Sequence, residues 1–167
     1  KARVGQPEGI PAVPPAPVED AEPAPPDAAL VRQIFPTPAP AWTAADFDTN
    51  PEVAHLIRQC AVLRALKAKV EDHRRLTHDE QVVVIHSLGH SGVGVLAVNY
   101  LLDACVDVAP TARLQSPLAG NPVSCPKIRK RIPQITGAVA CNCHFDVGAG
   151  QYPNPRLHLG TLPAGPP

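Results

Sequence analysis

The sequence predicts a mainly α-helical domain that ends in an irregular, cysteine-bearing C-terminal segment and follows a disordered tail rich in proline and alanine. Apolar residues recur at three- and four-residue steps from Val53 to Val70, as on one face of a helix. Residues that commonly cap helix N-termini directly precede such apolar stretches. Eleven of the 22 prolines fall within residues 1–40, which show no apolar periodicity. We therefore expect one small helical domain behind an unstructured segment.

The chain of 167 residues has room for one domain and a tail. Residues 1–45 are predicted to form a disordered, proline-rich linker, because such a stretch cannot bury enough surface to offset its chain entropy. Residues 46–160 are assigned to the helical domain and residues 161–167 to a second disordered stretch. We expect the linker to tether the domain to an upstream one.

The first predicted helix begins at Asn50-Pro51-Glu52, which supplies a capping side chain, a proline at the first helical position and an acid near the positive end of the helix dipole. One continuous helix is expected, and Cys60 lies on its buried stripe. That stripe consists of Val53, Leu56, Ile57, Cys60, Leu63, Leu66 and Val70.

Three further helices follow. Thr77 and Glu80 have the spacing of a capping box, and the helix that they open is expected to end at Gly89. After a break at Gly92-Val93-Gly94, a third helix is predicted from Val95 to about residue 104.

Ser124-Cys125-Pro126 opens a short helix that ends before Pro133. Beyond Ile135 the chain is rich in glycine, proline and asparagine, so a loop with a short strand is expected there.

Bulk composition excludes some classes of function and leaves others open. The formal net charge is zero, so overall charge indicates no partner. No apolar run reaches the roughly 20 residues that span a membrane, so no membrane contact is expected. The five cysteines are odd in number, and Cys141 and Cys143 are too close to pair comfortably. A reducing, cytoplasmic setting is therefore favoured over a disulfide framework.

The cysteines carry the chemistry that the sequence predicts. Cys125 precedes a helix N-terminus rich in Lys and Arg, which favours the thiolate, and Asn142 between Cys141 and Cys143 suits a turn. These three are interpreted as metal ligands, while Cys60 fits a ligand or a core position equally well. Because the spacing is long and irregular, a metal or iron–sulfur cluster buried in a helical domain is favoured over a zinc-finger loop.

Two alternatives use histidine. Cys125, Cys141, Cys143 and His144 would form a zinc site that staples a helical protein-interaction module, with Cys60 in the core.

His86 and His90 have a metal-binding spacing on one helix, but position 87 is Ser rather than the glutamate of zinc proteases. We interpret the pair as solvated or core histidines, and a metal enzyme built on them is the least favoured alternative. No catalytic centre is predicted.

Basic residues cluster beside Cys125, at Lys127, Arg129, Lys130 and Arg131, and Arg74, Arg75 and Arg113 are candidates to extend the patch. The cluster is either a solvated helix face or a contact for a nucleic-acid backbone. The aromatic residues available for base stacking are Tyr100, Phe145 and Tyr152.

In their order along the chain, these motifs resemble the iron–sulfur C-terminal domain of the DNA primase large subunit. They resemble most closely the version fused to primase- or reverse-transcriptase-like polymerases in bacteria. The resemblance covers roughly residues 50–160. Its motifs are Cys60, Arg75-Leu76-Thr77-His78-Asp79-Glu80, Ser87-Leu88-Gly89-His90, Asn121-Pro122-Val123-Ser124-Cys125-Pro126-Lys127-Ile128, Cys141-Asn142-Cys143-His144-Phe145, Tyr152-Pro153 and Leu157-His158-Leu159.

The resemblance implies a helical domain that holds a 4Fe-4S cluster with four cysteines. Cys60 matches the first ligand, Cys125 the second and Cys141 the third, and Cys143 is assigned as the fourth. The last two ligands of the family are well separated, whereas here they lie two residues apart, so Cys105 is the substitute for the fourth position.

The resemblance also implies a function. The domain of that family helps to hold the template and the 5′ end of the primer, so the implied partners are DNA or RNA and an upstream polymerase or primase catalytic domain. The chain would be the non-catalytic part of such an enzyme. The candidates for phosphate contact are Arg74, Arg75, Lys127, Arg129, Lys130 and Arg131.

Overall fold

The structure, a computed structural model, describes residues 41–163, and most of the predicted linker and the last four residues lie outside this range. The predicted fold class is confirmed: the described residues form seven α-helices and two 3-10 helices, with no strand among them. The α-helices are α1 (Asp46–Thr49), α2 (Pro51–Gln59), α3 (Ala61–His73), α4 (His78–Leu88), α5 (Gly92–Ala104), α6 (Cys125–Arg131) and α7 (Pro133–Ala138). The 3-10 helices span Pro110–Ala112 and Pro155–Thr161.

The predicted capping signals are confirmed. The side chain of Asn50 accepts a hydrogen bond from the Val53 amide at 3.0 Å, ahead of Pro51. Thr77 and Glu80 form a complete capping box, in which each side chain accepts from the other's backbone amide. Helix α4 ends at Leu88, with Gly89 as its C-terminal cap.

The prediction of one continuous helix through Cys60 is wrong. Cys60 has extended backbone angles, φ −96° and ψ 103°, and separates α2 from α3. Its amide still donates to the Leu56 carbonyl at 2.9 Å, and its own carbonyl accepts from the Arg64 amide at 3.1 Å. Both helices bury apolar residues on either side of the break, so the apolar repeat runs through it undisturbed.

The glycines at the start of α5 belong to the helix rather than to a break before it. Ser91 caps α5, and its hydroxyl accepts from the Gly94 amide at 3.1 Å. A Cβ atom at Gly94 would lie 1.9 Å from the Leu88 carbonyl oxygen. Gly94 is therefore required because the end of α4 and the start of α5 approach closely.

The loop predicted after Ile135 is wrong in its first part. Pro133 ends α6 as expected but also occupies the first turn of α7, where a proline without an amide hydrogen is tolerated. The expected short strand does not occur in residues 41–163; the last element of the described residues is instead the 3-10 helix Pro155–Thr161.

The core lies mainly among α2 to α5. It also includes Ile128 of α6 and Ile132, which directly follows α6. Trp42 falls within the predicted linker, yet its ring meets that of the buried Phe47 edge-on at 5.7 Å, and Lys67 lies over the Phe47 ring. The packed region therefore begins before residue 46. Each helix within residues 41–163 is too short or too polar to cross a bilayer.

Candidate metal centre and nucleic-acid interface

Four of the five cysteines line one small cavity. They are the four assigned as metal ligands: Cys60, Cys125, Cys141 and Cys143. Val62, Ile128, Pro155 and His158 complete the lining. The fold thus gathers thiols from distant parts of the chain, while their role as ligands stays a prediction.

Two of these sulfurs lie at helix N-termini. Cys60 occupies the N-cap position of α3, where the backbone amides of Leu63 and Val62 work to lower the pKa of its thiol. Cys125 is the first residue of α6, behind the capping hydroxyl of Ser124, and its amide donates to the Pro153 carbonyl at 2.8 Å. The positive end of each helix dipole favours a thiolate at these places.

The other two sulfurs lie beyond the turn that follows α7. The amide of Cys141 donates to the Thr136 carbonyl at 3.0 Å. The turn that was expected at Asn142 does not occur; the turn lies at residues 139–140, where Ala140 has a left-handed φ of 47°. Both Cys141 and Cys143 are half-buried, so they are the most accessible thiols of the cavity.

The environment of the cavity disfavours free thiolates. Burial raises the pKa of Cys125 to about 12, and the nearby sulfurs of Cys60 and Cys141 add to the effect. Burial likewise raises the pKa of Cys60 and of Cys143. Because a metal binds the thiolate, loading the centre must release protons.

Two side chains near this sulfur-rich region, Arg129 and His158, each have one buried nitrogen without a hydrogen-bond partner. Nη2 of Arg129 lies 4.0 Å from the Cys141 sulfur and 3.4 Å from the Cys143 carbonyl oxygen, while its Nε is buried and makes no hydrogen bond. Nε2 of His158 is also buried and unpaired. Four soft thiols with such N–H groups beside them suit a zinc ion or an iron–sulfur cluster.

The dimensions of the cavity bear on which group fits. Its volume is about 10 Å³, which holds about one water molecule. No three His, Cys, Asp or Glu side chains within residues 41–163 are grouped as a single metal ion requires. A cluster is larger than this cavity, so loading one would require side-chain or backbone movement, and Cys141 and Cys143 are the two cavity cysteines that are not fully buried.

The final 3-10 helix closes one side of the cavity through Pro155 and His158. Nε2 of His55, on α2, lies 2.9 Å from the His158 carbonyl oxygen and 3.0 Å from the Thr161 hydroxyl. Thr161 was assigned to the disordered end, so the packed region extends at least to this residue. The place of His158 beside the cavity was not predicted, because no ligand spacing singles it out.

The alternative ligands are placed differently. Cys105 lies elsewhere in the core, where its sulfur donates to the Leu101 carbonyl at 3.3 Å and burial raises its pKa. His144 is exposed and is not among the residues that line the cavity. The rings of His86 and His90 are 6.4 Å apart, and no third ligand joins them among residues 41–163.

A larger cleft of about 440 Å³ lies beside the same short helix. Lys127 and Arg131, one turn apart on α6, line it together with His86 of α4. The Tyr152 hydroxyl donates to the Pro122 carbonyl at 2.5 Å, which holds the tyrosine at the cleft. The full lining is Val82, His86, Asn121, Pro122, Val123, Ser124, Lys127, Arg131 and Tyr152.

The six residues predicted to contact phosphate have different surroundings, and only two of them line the cleft. Lys127 and Arg131 line the cleft, although Arg131 also pairs with Asp79 at 2.6 Å. Arg129 faces the sulfurs instead, and Lys130 is exposed.

The two arginines after α3 have other partners. Arg75 pairs with Asp107 at 3.0 Å, and Nε of Arg74 donates to the Ala104 carbonyl at 3.1 Å. Arg113, the third possible extension of the patch, pairs with Asp103.

Of the three aromatic candidates, only Tyr152 lines the cleft. Tyr100 packs against Phe47, and Phe145 meets His158 edge-on at 4.8 Å.

Comparison with protein-family models, with curated proteins and with solved structures finds no match to this chain.

Proposed function

We propose that the chain is a non-catalytic domain of a primase-like polymerase, which holds an iron–sulfur cluster and binds a nucleic-acid strand beside it. The observation that carries this proposal is the cavity that Cys60, Cys125, Cys141 and Cys143 share. In the proposal these four thiolates hold a 4Fe-4S cluster, which links the α2–α3 junction to the C-terminal segment. A zinc ion is the alternative occupant.

The chemistry of the lining supports an occupant that binds sulfur and carries negative charge. Thiolates are the ligands of iron–sulfur clusters, and N–H groups beside them commonly tune such centres. The buried nitrogen atoms of Arg129 and His158 lack protein partners among the described residues, so they are available to a bound group.

Helix α6 connects the proposed centre to the proposed strand site. Its Cys125 and Ile128 line the sulfur cavity, whereas its Lys127 and Arg131 line the cleft. The two cations suit phosphates, and the Tyr152 ring offers a surface on which a base can stack. We propose that the cleft contacts the template or the 5′ end of the primer.

The remaining parts of the proposal concern partners and compartment. The catalytic residues would belong to an upstream polymerase or primase domain. Five free cysteines, of which three are buried, fit the reducing cytoplasm.

Metal analysis tests the proposed centre. Anaerobically purified protein is expected to contain about four iron and four sulfide per chain. Cys60→Ser should lose most of the iron, and Cys105→Ser, which changes a buried thiol outside the cavity, should keep it. Colourless protein with one tightly held zinc, or equal iron in both variants, would contradict the cluster.

Strand binding is tested by fluorescence anisotropy with a labelled single-stranded oligonucleotide at several salt concentrations. Lys127→Ala should weaken binding by roughly three- to tenfold and reduce the salt slope by about 0.7, as expected for one lost phosphate contact. Lys130→Ala is the matched control, because it removes an exposed lysine of the same helix that does not line the cleft. Equal effects of the two substitutions would argue against the cleft.

A further inference from the structure

The four basic residues of α6 do not have the same surroundings. Lys127 and Arg131 line the cleft, and Lys130 is exposed to solvent. Arg129 is half-buried and reaches toward the segment from Cys141 to Cys143, with Nη2 at 4.0 Å from the Cys141 sulfur.

Arg129 has no carboxylate partner among the described residues, and the groups nearest its Nη2 are the Cys143 carbonyl oxygen, at 3.4 Å, and the Cys141 sulfur. None of the ion pairs among residues 41–163 includes Arg129, and its buried Nε has no hydrogen-bond partner. A guanidinium stays protonated in proteins, so it cannot relieve its burial by losing a proton. Removing part of the water around such a cation is unfavourable unless an anion lies beside it.

Protonated thiols cannot be that anion, but a loaded sulfur centre can. The negative charges of four thiolates outweigh the positive charge of an iron–sulfur core, so the assembled centre is an anion. One-electron reduction adds a further negative charge. A neighbouring guanidinium stabilises the reduced form more than the oxidised form, because the attraction grows with the charge of the centre.

We propose that Arg129 is the counter-charge of the sulfur centre, a positioning residue that favours retention of the cluster and raises its reduction potential. The proposal rests on the proposed iron–sulfur centre and adds a residue to it. The electron comes from the added reductant and enters the cluster, and no proton transfer at Arg129 is part of the step.

Potentiometric titration of the anaerobic holoprotein with dithionite as the electron donor tests the proposal. Arg129→Gln should shift the reduction equilibrium toward the oxidised form by about tenfold, which lowers the midpoint potential of a one-electron couple by about 59 mV. Lys130→Gln removes an exposed charge from the same helix and should shift the equilibrium less than threefold. Equal shifts in the two variants would overturn the proposal.

A second variant covers the case in which Arg129→Gln does not retain iron. Arg129→Lys keeps the charge, so it should retain the cluster with a potential close to that of the unaltered protein. Loss of iron from Arg129→Lys as well would mean that charge is not what matters, and the proposal would fail. Absence of iron from the unaltered protein would instead refute the proposed function.

Discussion

Glu80 is a fully buried carboxylate that ties two helices together. Its two oxygens accept from Nζ of Lys69, on α3, at 2.7 and 2.8 Å, and one of them also accepts from the Thr77 amide. Burial alone would raise the pKa of Glu80, but the hydrogen bonds from Lys69 and Thr77 outweigh it and lower the pKa. The ionised form is therefore the one that the fold requires.

Glu80→Gln should reduce the free energy of unfolding by roughly 2–4 kcal/mol, because it leaves Lys69 without its anion. Urea unfolding at neutral pH measures the loss. Glu71→Gln, which removes an exposed pair with Lys67, should cost about 1 kcal/mol or less. Since the pKa of Glu80 is lowered in the fold, its contribution is present above its ordinary value of 4.5 and is lost as pH falls further. A deficit unchanged at acidic pH would contradict this assignment.

His86 gives the proposed strand site a pH dependence. Burial, with help from His90 and Arg131, lowers the pKa of His86, so in the free protein the ring is neutral at neutral pH. A phosphate in the cleft would favour the protonated ring, so binding would take up a proton.

Affinity for a single-stranded oligonucleotide should therefore rise as pH falls below about 6.5, the ordinary pKa of histidine. Anisotropy titrations at constant ionic strength measure this dependence. His86→Gln should flatten it, whereas His78→Gln, which changes an exposed histidine outside the cleft, should leave it in place. The same pH profile in all three proteins would exclude His86 as its source.

At the scale of the elements, the junction of α4 and α5 depends on one glycine. Gly94→Ala should lower the thermal midpoint strongly, by the equivalent of roughly 2 kcal/mol or more, because its methyl group would overlap the Leu88 carbonyl. Gly92→Ala is the matched control in the same helical turn, since its methyl group would meet no atom within 4 Å. That change should leave stability unchanged or raise it by up to about 1 kcal/mol. Equal melting temperatures would contradict the close approach.

The helices that the sequence predicted well are those with local start signals. Asn50, Thr77 and Ser124 each cap a helix where expected, because a cap depends on a few neighbouring residues. The break at Cys60 gave no such signal, since the apolar repeat continues through it. Helix α7 was missed because Pro133 both ends one helix and begins the next.

The site shows the same division between local and tertiary information. The resemblance to a known family selected the four cysteines that line one cavity, whereas residue type alone left Cys60 undecided. The direction of Arg129 was not predictable, because four basic residues in five positions of a short helix do not show which one faces the core. His158 reaches the cavity through the packing of a distant 3-10 helix.

At the scale of the whole molecule, the helices α2 to α5 and the segment after α7 are stabilised by different interactions. Helices α2 to α5 supply most of the buried apolar cluster, and each fully buried Leu or Val contributes roughly 1.5–3 kcal/mol. The segment after α7 adds only partly buried side chains to that cluster, those of Val139, Cys141 and Leu159. Its attachment relies on contacts such as that of His55 with the His158 carbonyl. A centre held by Cys60, Cys125, Cys141 and Cys143 would therefore stabilise this segment more than the helices.

Removing the metal should release the C-terminal segment and leave the helical bundle folded. After oxidative loss of the cluster, hydrogen exchange should accelerate in residues 139–161, while the far-UV circular dichroism keeps most of its helical signal. Cys60→Ser should reproduce this pattern without oxidant, and Cys105→Ser should not. Cooperative loss of all helical signal would mean that the bundle itself depends on the centre. In that case the buried apolar cluster would be too weak to hold α2 to α5 together alone.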